Sequence, residues 1–285
     1  MLIFPLIASG VSFVFSLFVL RQYASRRKPY QLVWSIALLM FSLAALAETL
    51  ATPFGFNAPS HWSEFLVKIY YIFGATLVVG YLALGTLYLQ EERSGAYLLV
   101  ISLVLTFSGW FPAIGLEMIK EGNLFGVFTV SAIYLLLIIV FLAVGKQTAN
   151  IYLAVLLVST AAAVLLIALG EIDPTKLTQT AGWQALDRTF AMRSFAFSLN
   201  VLGTFVLVLG ALHSAWIAWR KKHMKERALA NILIAAGVFI VAGGGAIGGY
   251  FGLGGQAAIS VPMAVGITVM FLGFLQAGRP TPKKA

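Results

Sequence analysis

Residues 2–28 read LIFPLIASGVSFVFSLFVLRQYASRRK, and the two halves of that stretch decide the fold. From Leu2 to Leu20 there is no charged residue. A helix of about 20 apolar residues rises about 30 Å, enough to cross the hydrocarbon core of a bilayer. Arg21, Arg26, Arg27 and Lys28 follow at once. Positive residues collect on the cytoplasmic side of a span, so the run reads as a first span with its N-terminus outside. A cleaved signal peptide carries its positive residues before the apolar run and a small-residue site after it. Here that order is reversed, and the span is expected to be retained.

Working outward, the same pattern returns eight times: Tyr30–Ala51, Phe65–Leu89, Ala96–Ile114, Phe125–Val144, Ile151–Leu169, Phe195–Trp219, Ala228–Phe251 and Ala257–Ala277. The expected fold class is therefore all-α: a polytopic integral membrane helix bundle of about nine transmembrane helices, forming a single domain over residues 1–285. Composition agrees. Hydrophobic residues make up 60% of the chain and charged residues 10%, against about 25% charged in a soluble domain.

The charges set the orientation. With the N-terminus outside, the inner segments hold Arg21, Arg26, Arg27, Lys28, Arg93, Lys146, Arg220, Lys221, Lys222, Lys225, Arg227, Arg279, Lys283 and Lys284. Only Lys68, Lys120, Lys176, Arg188 and Arg193 fall outside. That bias puts the C-terminus in the cytoplasm. It also explains the net charge of +9 as topology signals facing anionic lipid headgroups, so membrane lipids are expected partners and nucleic acid is not. The stretch RRKPYQLVWSIALLMFSLAALAE, residues 26–48, resembles segments of multi-span bacterial membrane proteins. The resemblance implies a bacterial inner (plasma) membrane location and carries over no site and no activity.

Two outer segments are long enough to have structure of their own. Residues 171–194, EIDPTKLTQTAGWQALDRTFAMRS, open on the turn signal Asp173-Pro174. From Trp183 onward, Leu186, Phe190 and Met192 alternate with polar residues, which predicts an interfacial helix that lies on the membrane or caps the bundle. Pro53–Ser63 is the shorter counterpart.

Chemistry is sparse. The chain has no Cys, which removes disulfides, Cys-ligated zinc, iron–sulfur clusters and covalent haem. Three scattered His do not converge on a metal, and His213 reads best as hydrogen-bonded to a neighbouring helix. Ser108-Gly109 lacks the fuller glycine context of an intramembrane protease. No phosphate loop, paired aspartate motif or metallohydrolase cluster is present. The sequence calls for no cofactor, no metal and no catalytic residue.

Ionisable and amide groups inside spans are expensive and mark function by default. Glu48 is the most interior acid, placed either to bind a proton, a cation or an amine, or to reach interfacial water. Glu64 and Lys68, one turn apart, are expected to pair. Arg193 and Asn200 are seven residues apart and share a helix face. Asn200 serves either a ligand or an interhelical hydrogen bond. Glu48, Arg193 and Asn200 form the candidate ligand site, an outward-facing cavity.

The glycines make the densest local pattern. Gly244, Gly245, Gly248, Gly249 and Gly252 form a stripe at four-residue spacing, suited to close helix packing or to a broken helix that exposes backbone to substrate. Three functional classes follow. The first is binding or transport of a small lipophilic or weakly polar molecule. The second is a sensor or accessory subunit acting through the helices of a membrane partner. A membrane enzyme is the third and least supported.

Overall fold

A computed structural model describes residues 2–52, 61–90, 92–144, 147–178, 182–187, 189–221, 224–250 and 256–277. Among these, nine helices are long and apolar enough to cross a membrane: α1 (Ile3–Arg26), α2 (Pro29–Ala51), α3 (Glu64–Leu89), α4 (Ser94–Lys120), α5 (Leu124–Val144), α6 (Thr148–Ala168), α7 (Ala191–Arg220), α8 (Lys225–Gly248) and α9 (Ala257–Ala277). The rest of the described chain is connections, with no strand longer than an isolated bridge. The fold is all-helical, and its nine helices are compatible with a multi-pass membrane protein.

Local chemistry explains where helices stop. Arg27 takes a left-handed conformation (φ 53°) and its N–H closes back on Tyr23 at 2.8 Å, which ends α1. Lys28 is extended (ψ 127°) ahead of Pro29, as the residue before a proline prefers. Pro29 then opens α2, where its missing N–H costs nothing. The turn brings α2 back along α1, and Ser9, Ser16, Ser35 and Ser42 fasten the pair. Ser16 Oγ donates to the Ser35 carbonyl at 2.7 Å and Ser42 Oγ to the Ser9 carbonyl at 3.0 Å.

Six of the helices close a ring. α1 packs on α2, α2 on α3, α3 on α7, α7 on α8, α8 on α9, and α9 returns to α1. α4 leans on α7, α6 on α3, and α5 reaches the bundle mainly through α4. Exposed Phe125, Phe128, Leu135, Leu136 and Leu142 on α5 fit a surface solvated by lipid chains rather than water.

Glycine sets the closest approaches. A Cβ on Gly237 would stand 2.5 Å from the Gly266 carbonyl oxygen, and one on Gly273 would stand 2.7 Å from that of Ala230. These contacts lock α8 to α9 with their backbones nearly touching.

Three stretches widen to π-helical turns: Tyr70–Leu77 in α3, Phe111–Gly115 in α4, and Gly245–Tyr250, which continues α8. That of α4 surrounds Pro112, whose ring cannot sit in a regular i→i−4 ladder. α4 therefore runs through the proline to Lys120, past the expected end at Ile114. Over residues 171–194 the described residues hold one short 3-10 turn, Gly182–Ala185, ahead of the long helix that starts at Phe190. Ile172 and Leu186 form an antiparallel bridge, with Asp173 N–H to the Ala185 carbonyl at 2.8 Å and Asp187 N–H to that of Glu171 at 2.9 Å. Leu186 and Met192 turn inward and are buried, so of the two placements open to this segment, on the membrane or capping the bundle, its apolar residues take the second.

Candidate functional site

The ring of six helices borders a half-open cleft with an internal volume of about 70 Å³. Phe15 and Val19 of α1, Leu38 of α2, Leu207 of α7 and Met270 and Phe274 of α9 make its walls apolar. Trp34 lies against Gly85, where any Cβ would collide with the indole, and donates Nε1–H to the Leu82 carbonyl at 3.0 Å. Gly210 gives way to the Thr86 methyl in the same manner. Two glycines thus let a bulky side chain and a close helix crossing coexist beside the space.

Polar groups gather at one end of it. Gln90 follows the last turn of α3, with its own N–H held by the Thr86 carbonyl at 3.2 Å. Its Nε2 donates to the Gly210 carbonyl and to Ser214 Oγ, both at 3.2 Å. Its Oε1 lies 3.2 Å from His213 Nδ1. Gln90 is therefore tied to α7 on all sides, and Ser214 and Asn231 complete the polar rim. Among the described residues no acidic or basic side chain lines the cleft. Such a surface suits an uncharged molecule with an apolar body and one hydrogen-bonding group.

At the opposite end of the ring lies Glu48, in the last turn of α2 and 2% exposed. Ser260 Oγ donates to its Oε1 at 2.5 Å, and Gln256 Nε2 approaches the same oxygen at 3.4 Å. Gln256 Nε2 also donates to Thr52 Oγ1 at 2.7 Å, and Thr52 donates to the Glu48 carbonyl at 2.8 Å. Oε2 is buried without a hydrogen-bond partner among the described residues. One turn below, Ala44 Cβ lies 2.8 Å from where a Gly74 Cβ would stand. This register sets the end of α2, with Glu48, against the start of the π-helical stretch of α3. Trp62, Tyr70 and Tyr71 stack edge to face around this end, with centroids 5.5 and 5.9 Å apart.

The three residues expected around one cavity have separate partners. Glu48 meets α9. Arg193 faces Glu117 of α4 at 3.5 Å. Asn200 donates to the Ala75 carbonyl in the π-helical part of α3 at 2.5 Å and to Ala196 of its own helix at 2.8 Å. None of them lines the cleft, and the shared face of Arg193 and Asn200 is split between two neighbouring helices. Glu64 and Lys68 do pair, at 2.6 Å, and Lys68 also caps α6 through the Ala168 carbonyl at 2.9 Å.

Of the stripe glycines, Gly244 abuts Pro262 and Gly248 abuts Ile259, while Gly245 faces open space. Gly249 lies in the π-helical turn, and Gly252 falls outside the described residues. Sequence reasoning missed Gln90, Ser214 and Asn231. The signal available was a Gln just after one apolar run and an Asn in the second turn of another, which is also the look of ordinary solvated helix ends.

Compared with family models, curated proteins and solved structures, the chain matches none.

Proposed function

We propose that this chain is a single-domain membrane protein that binds, and in doing so carries, a small lipophilic or weakly polar molecule held inside the six-helix ring. The cleft supports the reading: six helices contribute to it, its walls are apolar, and its polar rim is uncharged. The molecule's apolar body lies between Phe15, Leu38, Met270 and Phe274, and a hydroxyl, carbonyl or amide group meets Ser214 and Asn231. Asn231 has no hydrogen bond to any other described residue, so its amide is free to serve the ligand. The positive-inside bias supports an N-terminus outside and a C-terminus in the cytoplasm; on that orientation, in a bacterial plasma membrane, the polar rim of the cleft faces the cytoplasm and not the outer side expected for the cavity from the sequence.

The test is native mass spectrometry on protein extracted gently from its own membrane. The expected result is a stoichiometric small molecule of defined mass on the wild type, lost from Ala211→Trp, whose added ring fills the cleft. In Asn231→Leu the same adduct weakens several-fold, since a hydrogen bond of about 0.5–1.5 kcal/mol is removed. Wild-type protein carrying only bulk lipid would sink the reading, and a second polypeptide at fixed ratio would replace it with an accessory-subunit role.

A further inference from the structure

The cleft reading makes no use of Glu48, and Glu48 is the residue whose surroundings are hardest to reconcile with an ordinary structural role. Its carboxyl is buried where the ends of α2, α3 and α9 meet. Donors reach Oε1 only, from Ser260 and Gln256, while Oε2 is unpartnered among the described residues.

Among the described residues the groups that face it offer no compensating charge; His61, whose backbone N–H bonds the Ala51 carbonyl at 2.8 Å, is exposed. α9 has no titratable residue anywhere between Ala257 and Ala277. On α1 the groups turned to α2 are the hydroxyls of Ser9 and Ser16, and the first basic residue, Arg21, lies at the far end. On α3 the titratable groups at this level are the phenols of Tyr70 and Tyr71. Further out, Lys68 is committed to Glu64 and to the Ala168 carbonyl. Glu48 enters no ion pair among the described residues. A carboxylate buried without a counter-charge costs several kcal/mol even after relaxation, whereas a carboxylic acid there costs far less.

We propose that Glu48 is a proton-binding site: its carboxyl carries an exchangeable proton on Oε2, and releasing that proton weakens the junction of α2 with α9. Oε1 then acts as the carbonyl oxygen that accepts from Ser260, which fits donors converging on one oxygen. The site shares a helix with the cleft. Ser260 and Met270 are both on α9, about 15 Å apart at 1.5 Å per residue, so a loosened α9 moves a cleft wall as well. The proposal stands whether or not the cleft holds a ligand.

Infrared spectroscopy of the full chain in lipid tests it directly. The other nine acids fall in links or at helix ends, leaving Glu48 as the source of a protonated-carboxyl C=O band at neutral pH. The expected band shifts in D2O, fades as pH is raised, and is missing in Glu48→Gln. In Ser260→Ala it persists at a displaced frequency, which keeps the assignment open to test should Glu48→Gln misfold. Absence of the band in wild-type protein at neutral and mildly acidic pH would overturn the proposal. So would a thermal stability that climbs with sodium or potassium at constant pH and ionic strength, because a bound cation would then be supplying the charge.

Discussion

Asp173 shows how little of this protein's electrostatics lies in the membrane and how local the rest is. Its Oδ1 accepts from the Thr175 hydroxyl at 2.6 Å and from the Thr175 N–H at 3.0 Å, and Lys176 Nζ lies 3.4 Å from Oδ2. These bonds favour the ionised form, Thr175 most of all, and hold the carboxyl below its ordinary range. A carboxyl depressed in the folded state stabilises it above the unfolded pKa, and that contribution disappears as pH falls through the folded value. The loop turn is therefore expected to loosen only in acid. An NMR titration of Asp173 should give a midpoint below that of a model peptide, and Thr175→Ala should raise it. Equal midpoints in the two proteins would show that the Thr175 bonds are not what holds the turn. At this scale the sequence was partly legible. Asp173-Pro174 announced a turn and Glu64–Lys68 a pair, since both depend on neighbours in the chain. Glu48 was visible as an interior acid, but its partners Ser260 and Gln256 lie more than 200 residues away, and nothing in their spacing announces the meeting.

Among elements, α8 and α9 make the sharpest case, because glycines six residues apart on one helix have opposite environments. Gly237 lies against the backbone of Gly266, which cannot move aside, while Gly243 has nothing within 4 Å of an added Cβ. Gly237→Ala must push α9 away and is expected to cost about 1–3 kcal/mol. Gly243→Ala removes a flexible residue from a helix and should be neutral or gain up to about 1 kcal/mol. Thermal or denaturant unfolding in one detergent compares the two, and equal losses would show that the contact of Gly237 with Gly266 does not limit how closely the helices pack. The nine helices themselves were readable because a span needs only length and apolarity, and both are properties of a single run. The π-helical turns were not. They adjust the ladder to neighbours such as Ala44 opposite Gly74 and to the ring of Pro112, and the glycine stripe did not tell which members touch α9. Leu186 and Met192 left two placements open for a related reason: periodic apolar residues say that a face is covered, not whether lipid or protein covers it.

For the molecule as a whole, the ring of six helices is a long-range fact: α9 closes on α1 across almost the entire chain, and the cleft exists only because that closure leaves Trp34, Gly85 and Gly210 opposite one another. Orientation is the complementary property, carried by charges in the links and owing nothing to packing. The absence of Cys makes it unusually easy to measure, since any introduced thiol is the sole reporter. With the N-terminus outside, Ser63→Cys and Lys176→Cys are expected to react with a membrane-impermeant maleimide in intact cells. Ser25→Cys and Lys225→Cys, beside the basic clusters, should react only after the membrane is opened. The first two positions flank the Glu48 end of the ring and the last two its Gln90 end, so the same four labels decide which compartment exchanges protons with Glu48 and which faces the polar rim of the cleft. A fully reversed pattern would keep the fold and both sites but exchange their compartments. Labelling of Ser63→Cys and Lys176→Cys on opposite sides would break the alternation that nine spans require.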